Sequence, residues 1–201
     1  MERSAVYRRA LAPIMLMLGG LGLAAGILGY FLKIEDSRRF AIFWMGVSIA
    51  SLAGAYLQMR GQAIRDGEDF WSPPTRRVTL ALFPALFVGA VFGLGTAGAP
   101  RTVYFMPPSL VVGEPAWQLP PVWMLLYGCA MHAAGFFMPR GFKLFGWGYI
   151  ASGAFVLFFL SRLESGASLR LAHLLMALAF GGAHLAYGLY LAITEKRRTE
   201  L

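Results

Sequence analysis

The sequence predicts an all-α integral membrane protein, a bundle of six transmembrane helices, on three observations. Apolar residues make up 58% of the chain and Asp, Glu, Lys and Arg only 14%, against about a quarter charged in a soluble domain. Most of the chain therefore has to face lipid or its own helices. Charge-free runs able to cross a hydrocarbon core of about 30 Å, which takes roughly 20 helical residues, occur six times between short charged breaks. With the N-terminus inside, twelve Lys and Arg fall in cytoplasmic segments and six in outer ones, as the positive-inside rule requires.

The first run, Leu11 to Leu32, follows Arg3, Arg8 and Arg9 and so shares the start of a secretory signal. Its 22 uncharged residues exceed a signal core of about 7–15, and no small-x-small cleavage site before a polar domain follows. It reads as a retained helix. Gly19, Gly22, Gly26 and Gly29 recur at 3-4-3 spacing on one face, which lets a neighbouring backbone approach closely. The second run is Phe40 to Met59 and the third Val78 to Ala99, where Gly89 and Gly93 form another small-xxx-small pair.

Between them lies an 18-residue connection, 60–77, with "RDGEDFWSPPTRR" at 65–77. Ser72 before Pro73 and Pro74 reads as a helix start, since Ser is a favoured N-cap and Pro at the first helical positions loses only an amide that has no intrahelical partner. Trp71 then anchors at the headgroup boundary. Asp66, Glu68, Asp69, Phe70 and Trp71 form a mixed surface suited to a protein partner. A polyproline-type ligand is the alternative, although two prolines make a poor element of that kind.

The loop from Arg101 to Pro120 is rich in Pro and apolar residues and is expected to lie on the membrane surface, with Trp117 in the interface, or to serve as a lid or partner contact. The fourth, fifth and sixth runs are Pro121 to Met138, Leu144 to Ser161 and Leu171 to Ile193. Cys129 is the only cysteine, so no intrachain disulfide or cysteine metal spacing exists. Tyr30, Phe31, Trp44 and Trp123 near the outer helix ends, and Trp147, Tyr149, Tyr187 and Tyr190 near the inner ends, read as interfacial aromatic belts.

The chain reads as one transmembrane domain, 1–201, with two candidate repeat halves, 1–100 and 121–201. "RRFAIFWMG" (38–46) aligns with "RGFKLFGWG" (140–148), and 77–95 with 170–188, through Phe87 and Phe180, Gly89 and Gly182, Gly95 and Gly188. An odd number of helices per unit makes such copies insert in opposite directions, the inverted-repeat arrangement of many transporters.

All ten carboxylates lie in loops or termini. Intramembrane carboxylates mark ion paths and proton relays, so their absence from the spans argues against a proton- or sodium-coupled pump. The chain holds no HExxH, no P-loop and no G-x-S-x-G pattern; no catalytic and no metal-binding residue is assigned. Among the polar groups within spans are three histidines. His173 and His184, 11 residues apart, return to within about 20° on an ideal helix and so share a face. His132 and His184 lie at similar depth and suit either two axial ligands of a b-type haem or a quinone headgroup. Alternatively, each imidazole hydrogen-bonds a neighbouring helix. No cofactor is expected otherwise. The net charge of +8 is spread over short segments, which suits anionic lipid headgroups and argues against nucleic acid.

The segments 65–77 and "FFMPRGFKLFGWG" (136–148) together resemble parts of bacterial inner-membrane proteins of similar length, a group with no assigned activity. That resemblance implies the bacterial inner membrane and nothing sharper. The function expected is a non-catalytic accessory or regulatory subunit acting through membrane or cytoplasmic partners, both termini cytoplasmic. A small-solute transporter or channel built from inverted repeats is the alternative, and a haem- or quinone-binding membrane subunit the second alternative.

Overall fold

Every apolar run folds as a helix in the computed structural model of the chain, which describes residues 3–98, 115–138, 140–158 and 168–199. In order these are α1 (Arg3–Phe31), α2 (Ser37–Asp66), α3 (Pro73–Gly98), a 3₁₀ turn (Pro115–Gln118), α4 (Leu119–Ala134) and α5 (Arg140–Phe158). The last helix is composite: α6 (Leu169–Met176), a π-helical turn (Ala177–Gly182) and α7 (Ala183–Thr199). Five helices are long and apolar enough to cross a membrane. The exception is α4, at 16 residues.

Helix ends differ from the charge-free runs because a helix stops at a backbone breaker, not at the first charge. The helix α2 continues through Arg60 to Asp66, its last turn held by Gln62 Nε2 donating to Asp66 at 2.9 Å and Arg65 donating to Gln62 at 2.9 Å. It ends at Gly67, φ 63°, where Glu68 N–H reaches the Ala63 carbonyl at 3.0 Å and Gly67 N–H that of Ile64 at 3.3 Å, a Schellman closure. The expected 60–77 loop therefore shrinks to 67–72, and α3 opens at Pro73 directly after Ser72. The helix α1 closes the same way with Lys33 in the left-handed position, φ 53°, and Asp36 caps α2 by accepting from Arg39 N–H at 3.0 Å.

The fourth helix starts at Leu119 and stops at Ala134, short of the expected Met138, because 135–138 form the turn that precedes Pro139. The expected end of the fifth, at Ser161, and most of the loop 101–120 lie outside the described residues. Trp117 is described, and it is half-buried with its side chain packed against the core. Trp44 and Tyr149, read as belt residues, are likewise core residues, 2% and 4% exposed.

Successive helices run antiparallel, so the start of α1 and the end of α7 lie at one end of the bundle, the near end. Burial divides into three layers. At the far end Phe40 and Trp44 of α2 pack with Ala25, Leu119, Leu169, Ala172 and Met176. Met124, Tyr149 and Ala179 fill the middle. Leu11, Met15, Met131, Phe142 and Leu191 close the near end. The last helix contributes to all three layers. By contrast, α2 and α3 turn large apolar side chains outward, among them Ile49, Leu57, Phe83, Phe87 and Leu94.

Glycines set the closest approaches. A Cβ on Gly19 would meet Leu185 N at 2.6 Å, and one on Gly22 the Phe180 carbonyl oxygen at 2.7 Å; Gly26 and Gly29 face Ala177 and His173. The 3-4-3 stripe of α1 thus lies against the last helix. A second seam, missed in the sequence, joins α4 and α5: a Cβ on Gly128 would sit 2.7 Å from the Gly146 carbonyl oxygen, and one on Gly146 2.8 Å from that of Gly128. Gly89 and Gly93 face Trp123 and Met45.

Replacing Gly22 by Ala should destabilise the bundle by about 1–3 kcal/mol, because the clash is with backbone that cannot rotate away. Gly46, with nothing within 4 Å of its Cβ position, should instead be neutral or gain about 0.5–1 kcal/mol as Ala. Unfolding in mixed detergent micelles followed by circular dichroism checks both, and equal losses for the two would contradict the seam.

Candidate functional site

The last helix buries two histidines, and the π turn decides where each points. Ala183 N–H bonds the Leu178 carbonyl, five residues back. The Ala179 carbonyl is thereby released from the partner that an unbroken α-ladder would give it. An inserted residue also turns everything beyond it by roughly 100°, so the shared face expected of His173 and His184 is lost. His173 points to α1 and α2, His184 to α4 and α5.

His173 is fully buried between Gly29 of α1 and three aromatic rings of α2, with centroids 4.7 Å away for Phe40, 5.6 Å for Phe43 and 6.0 Å for Trp44. The Trp44 indole N–H is a donor only, and it reaches Nδ1 at 3.1 Å. Nδ1 is therefore the acceptor, and Nε2 carries the hydrogen donated to the Ile34 carbonyl at 3.2 Å. The ring pins the α1–α2 turn to α6. Outside it, Arg170 stands 3.7 Å from Glu35 and lies over the Tyr30 ring at 4.6 Å.

His184, 2% exposed, takes the opposite tautomer. Tyr149 donates its single hydroxyl hydrogen to the released Ala179 carbonyl at 2.5 Å. Its oxygen must then accept in the 3.0 Å contact with Nδ1, so Nδ1–H is the donor. Nε2 is left as acceptor for the Tyr127 hydroxyl at 2.7 Å. The result is one directional chain, Tyr127 to His184 to Tyr149 to Ala179, drawn from three helices. Phe145 and Phe180 close over it, with centroids 5.4 Å and 6.3 Å from the imidazole.

His132 is not brought to His184. It lies five residues beyond Tyr127 in α4, about 140° round the helix, and packs on Phe136 and Trp147, each at 5.5 Å. The ring neighbours of the two histidines have no residue in common. Both nitrogens of His184 are engaged, so neither offers a lone pair to iron in this arrangement. Among the described residues no group of three or more His, Cys, Asp or Glu stands together as a metal site. Cys129 is exposed on α4.

At the α2–α3 corner Phe70 folds back on Tyr56 at 5.1 Å, and Trp71, 57% exposed, stacks on Phe70 at 6.3 Å. Asp66 is the last residue of α2, while Glu68 and Asp69 are exposed in the turn. Sequence reading missed Tyr127 and Tyr149 as partners of His184, for which spacing within one helix carries no signal. No protein-family model matches the chain, and comparisons with curated proteins and with solved structures find no match either.

Tyr149→Phe removes the donor to a released carbonyl and the acceptor for His184 together, and should cost about 1–2 kcal/mol, near the upper range for polar contacts between membrane helices. Tyr127→Phe removes one donor and should cost under about 1 kcal/mol. Detergent-titrated unfolding measures both, and the reverse order would contradict the direction of the chain.

Proposed function

We propose that the chain is a six-span protein of the bacterial inner (cytoplasmic) membrane, both termini cytoplasmic, that serves as a non-catalytic accessory or regulatory subunit acting through protein partners. The observation that carries this reading is that both buried histidines have both ring nitrogens committed to internal hydrogen bonds. They stitch helices together and have no valence left for a substrate or an iron. Rings packed at 4.6 Å for Phe145 on Tyr187 and 5.0 Å for Tyr127 on Tyr149 fill the space between α4, α5 and the last helix, as suits a rigid scaffold.

Support for six spans comes from α4 and the turn before it. Sixteen α residues rise about 24 Å and four 3₁₀ residues about 8 Å more, together matching a core of about 30 Å. The outward apolar side chains of α2 and α3 need lipid or a partner to cover them. The exposed, mixed-charge corner at 66–71 is the surface we assign to a partner.

A transporter with inverted halves is the second reading. In its favour, Phe40 and Phe142 are both buried, Gly46 and Gly148 both face open space, and Phe43 and Phe145 both meet a histidine edge-on. Against it, α2 and α5 meet the same last helix, whereas a two-fold axis exchanging the halves would send α5 to α3.

Native mass spectrometry of the tagged protein, extracted gently from its host membrane, tests the choice. An added polypeptide is the expected result. A bare 22.0 kDa chain, or a simple multiple of it, would count against the subunit role and favour transport.

A further inference from the structure

The near-end turn between α4 and α5 carries a column of side chains that the functional reading does not use. The Lys143 ammonium sits 3.6 Å from the centre of the Phe136 ring. Phe136 meets His132 edge-on at 5.5 Å, and His132 meets Trp147 at 5.5 Å. The order across the column is cation, ring, imidazole, indole. Phe136 and Trp147 are 66% and 54% exposed, far more than rings of that size are when built into a core.

The polar ends of this column are uncommitted. The only ion pair among the described residues joins Arg170 and Glu35 at the far end, and no carboxylate among the described side chains pairs with Lys143. His132 Nδ1 is buried with no hydrogen-bond partner. The column therefore sets the Lys143 ammonium on the Phe136 ring, with His132 and Trp147 following it. From Gly135 to Gly148 the sequence holds Arg140 and Lys143 and no acidic residue. Arg76 and Arg77, both exposed, open the neighbouring α3, whose Val78 and Leu82 pack with Met131 of α4.

An ammonium seated on an exposed aromatic ring, in one column with an exposed indole, matches the phosphodiester and acyl-chain neck of an anionic phospholipid at the water–hydrocarbon boundary. We propose that Lys143, His132, Phe136 and Trp147 form a binding site for one anionic phospholipid of the cytoplasmic leaflet. This rests on reading α4 and α5 as membrane spans joined at the cytoplasmic surface. Lys143 holds the phosphate, Phe136 keeps the ammonium in place through its ring face, His132 packs behind that ring, and Trp147 packs on the glycerol and upper acyl chain. The site is selective because the turn offers no carboxylate to bind the ammonium of a zwitterionic lipid.

The test uses the full-length chain in nanodiscs of phosphatidylcholine with phosphatidylglycerol, released into the mass spectrometer so that retained lipids are counted. Wild type should retain phosphatidylglycerol over phosphatidylcholine. Lys143→Gln should lower that bound fraction about five-fold, the effect of one cation at an anionic surface, and Phe136→Leu should lower it as well. Lys33→Gln, which removes a cation at the far end, should leave it unchanged. Equal retention by wild type and Lys143→Gln overturns the site, as does equal loss from Lys33→Gln. Displacement by inorganic phosphate at millimolar concentration would identify a free-anion site and overturn the lipid assignment. Release of the chain from host membranes by alkaline carbonate would remove the span reading itself, and the lipid site with it.

Discussion

The carbonyl of Ala179 is the point on which the bundle turns. A released backbone oxygen buried away from water costs several kcal/mol if it is left unmet. A π turn in the last helix therefore needs an outside donor, and Tyr149 of α5 supplies it. Once α5 is fixed to that carbonyl, the same hydroxyl oxygen orients His184, and His184 in turn draws in Tyr127 of α4. The turn also rotates the second half of the helix away from the first. His173 is thus free to face α1 and α2 while His184 faces α4 and α5, and one helix holds both halves of the chain. Had it stayed α-helical, both histidines would compete for one neighbour.

In a bilayer, apolar surface alone would not hold such a helix in place, because lipid tails solvate leucine as well as another helix does. Close contact supplies what hydrophobicity cannot. The glycine stripe of α1 brings its backbone against Phe180, Gly181 and Leu185, and Gly181 answers by admitting the Leu23 backbone. These contacts flank the π turn on the side opposite Tyr149. The turn is therefore clamped between backbone contact on one face and a hydrogen-bond chain on the other. The helices α2 and α3 lack a comparable seam over much of their length; Gly46 and Gly61 meet nothing. They form the part of the bundle whose outer faces are free to be covered by something else.

The helices themselves were legible because charge-free length is a direct consequence of bilayer thickness. Their ends were not, since Gln62, Arg65 and Asp66 prolong α2 beyond its apolar run by bonding one another. The glycine stripe of α1 was legible as a face, and only the fold reveals which helix it meets. For the histidines the reasoning failed at a specific step: projecting His173 and His184 onto one face assumes an unbroken α-helix, and "ALAFGG" announces no π turn. Trp44 and Tyr149 were read as belt residues because Trp and Tyr favour interfaces where their polar tips find water. Here those tips find His173 and Ala179 instead, partners that are 129 and 30 residues away in sequence.

With both histidines of the last helix internally bonded, the exposed corners of the near end differ in character. The α2–α3 corner sets Glu68 and Asp69 beside the exposed indole of Trp71, with Arg65, Arg76 and Arg77 close by in sequence. The α4–α5 corner has an ammonium and aromatics with no acid at all. A mixed-charge corner discriminates among protein partners, because a wrong pairing places like charges together. A purely basic one attracts any anionic surface and distinguishes little beyond charge. The two corners therefore differ in what they could discriminate: the proposed lipid site needs only charge and an aromatic rim, whereas the proposed protein surface needs a matching pattern of both signs.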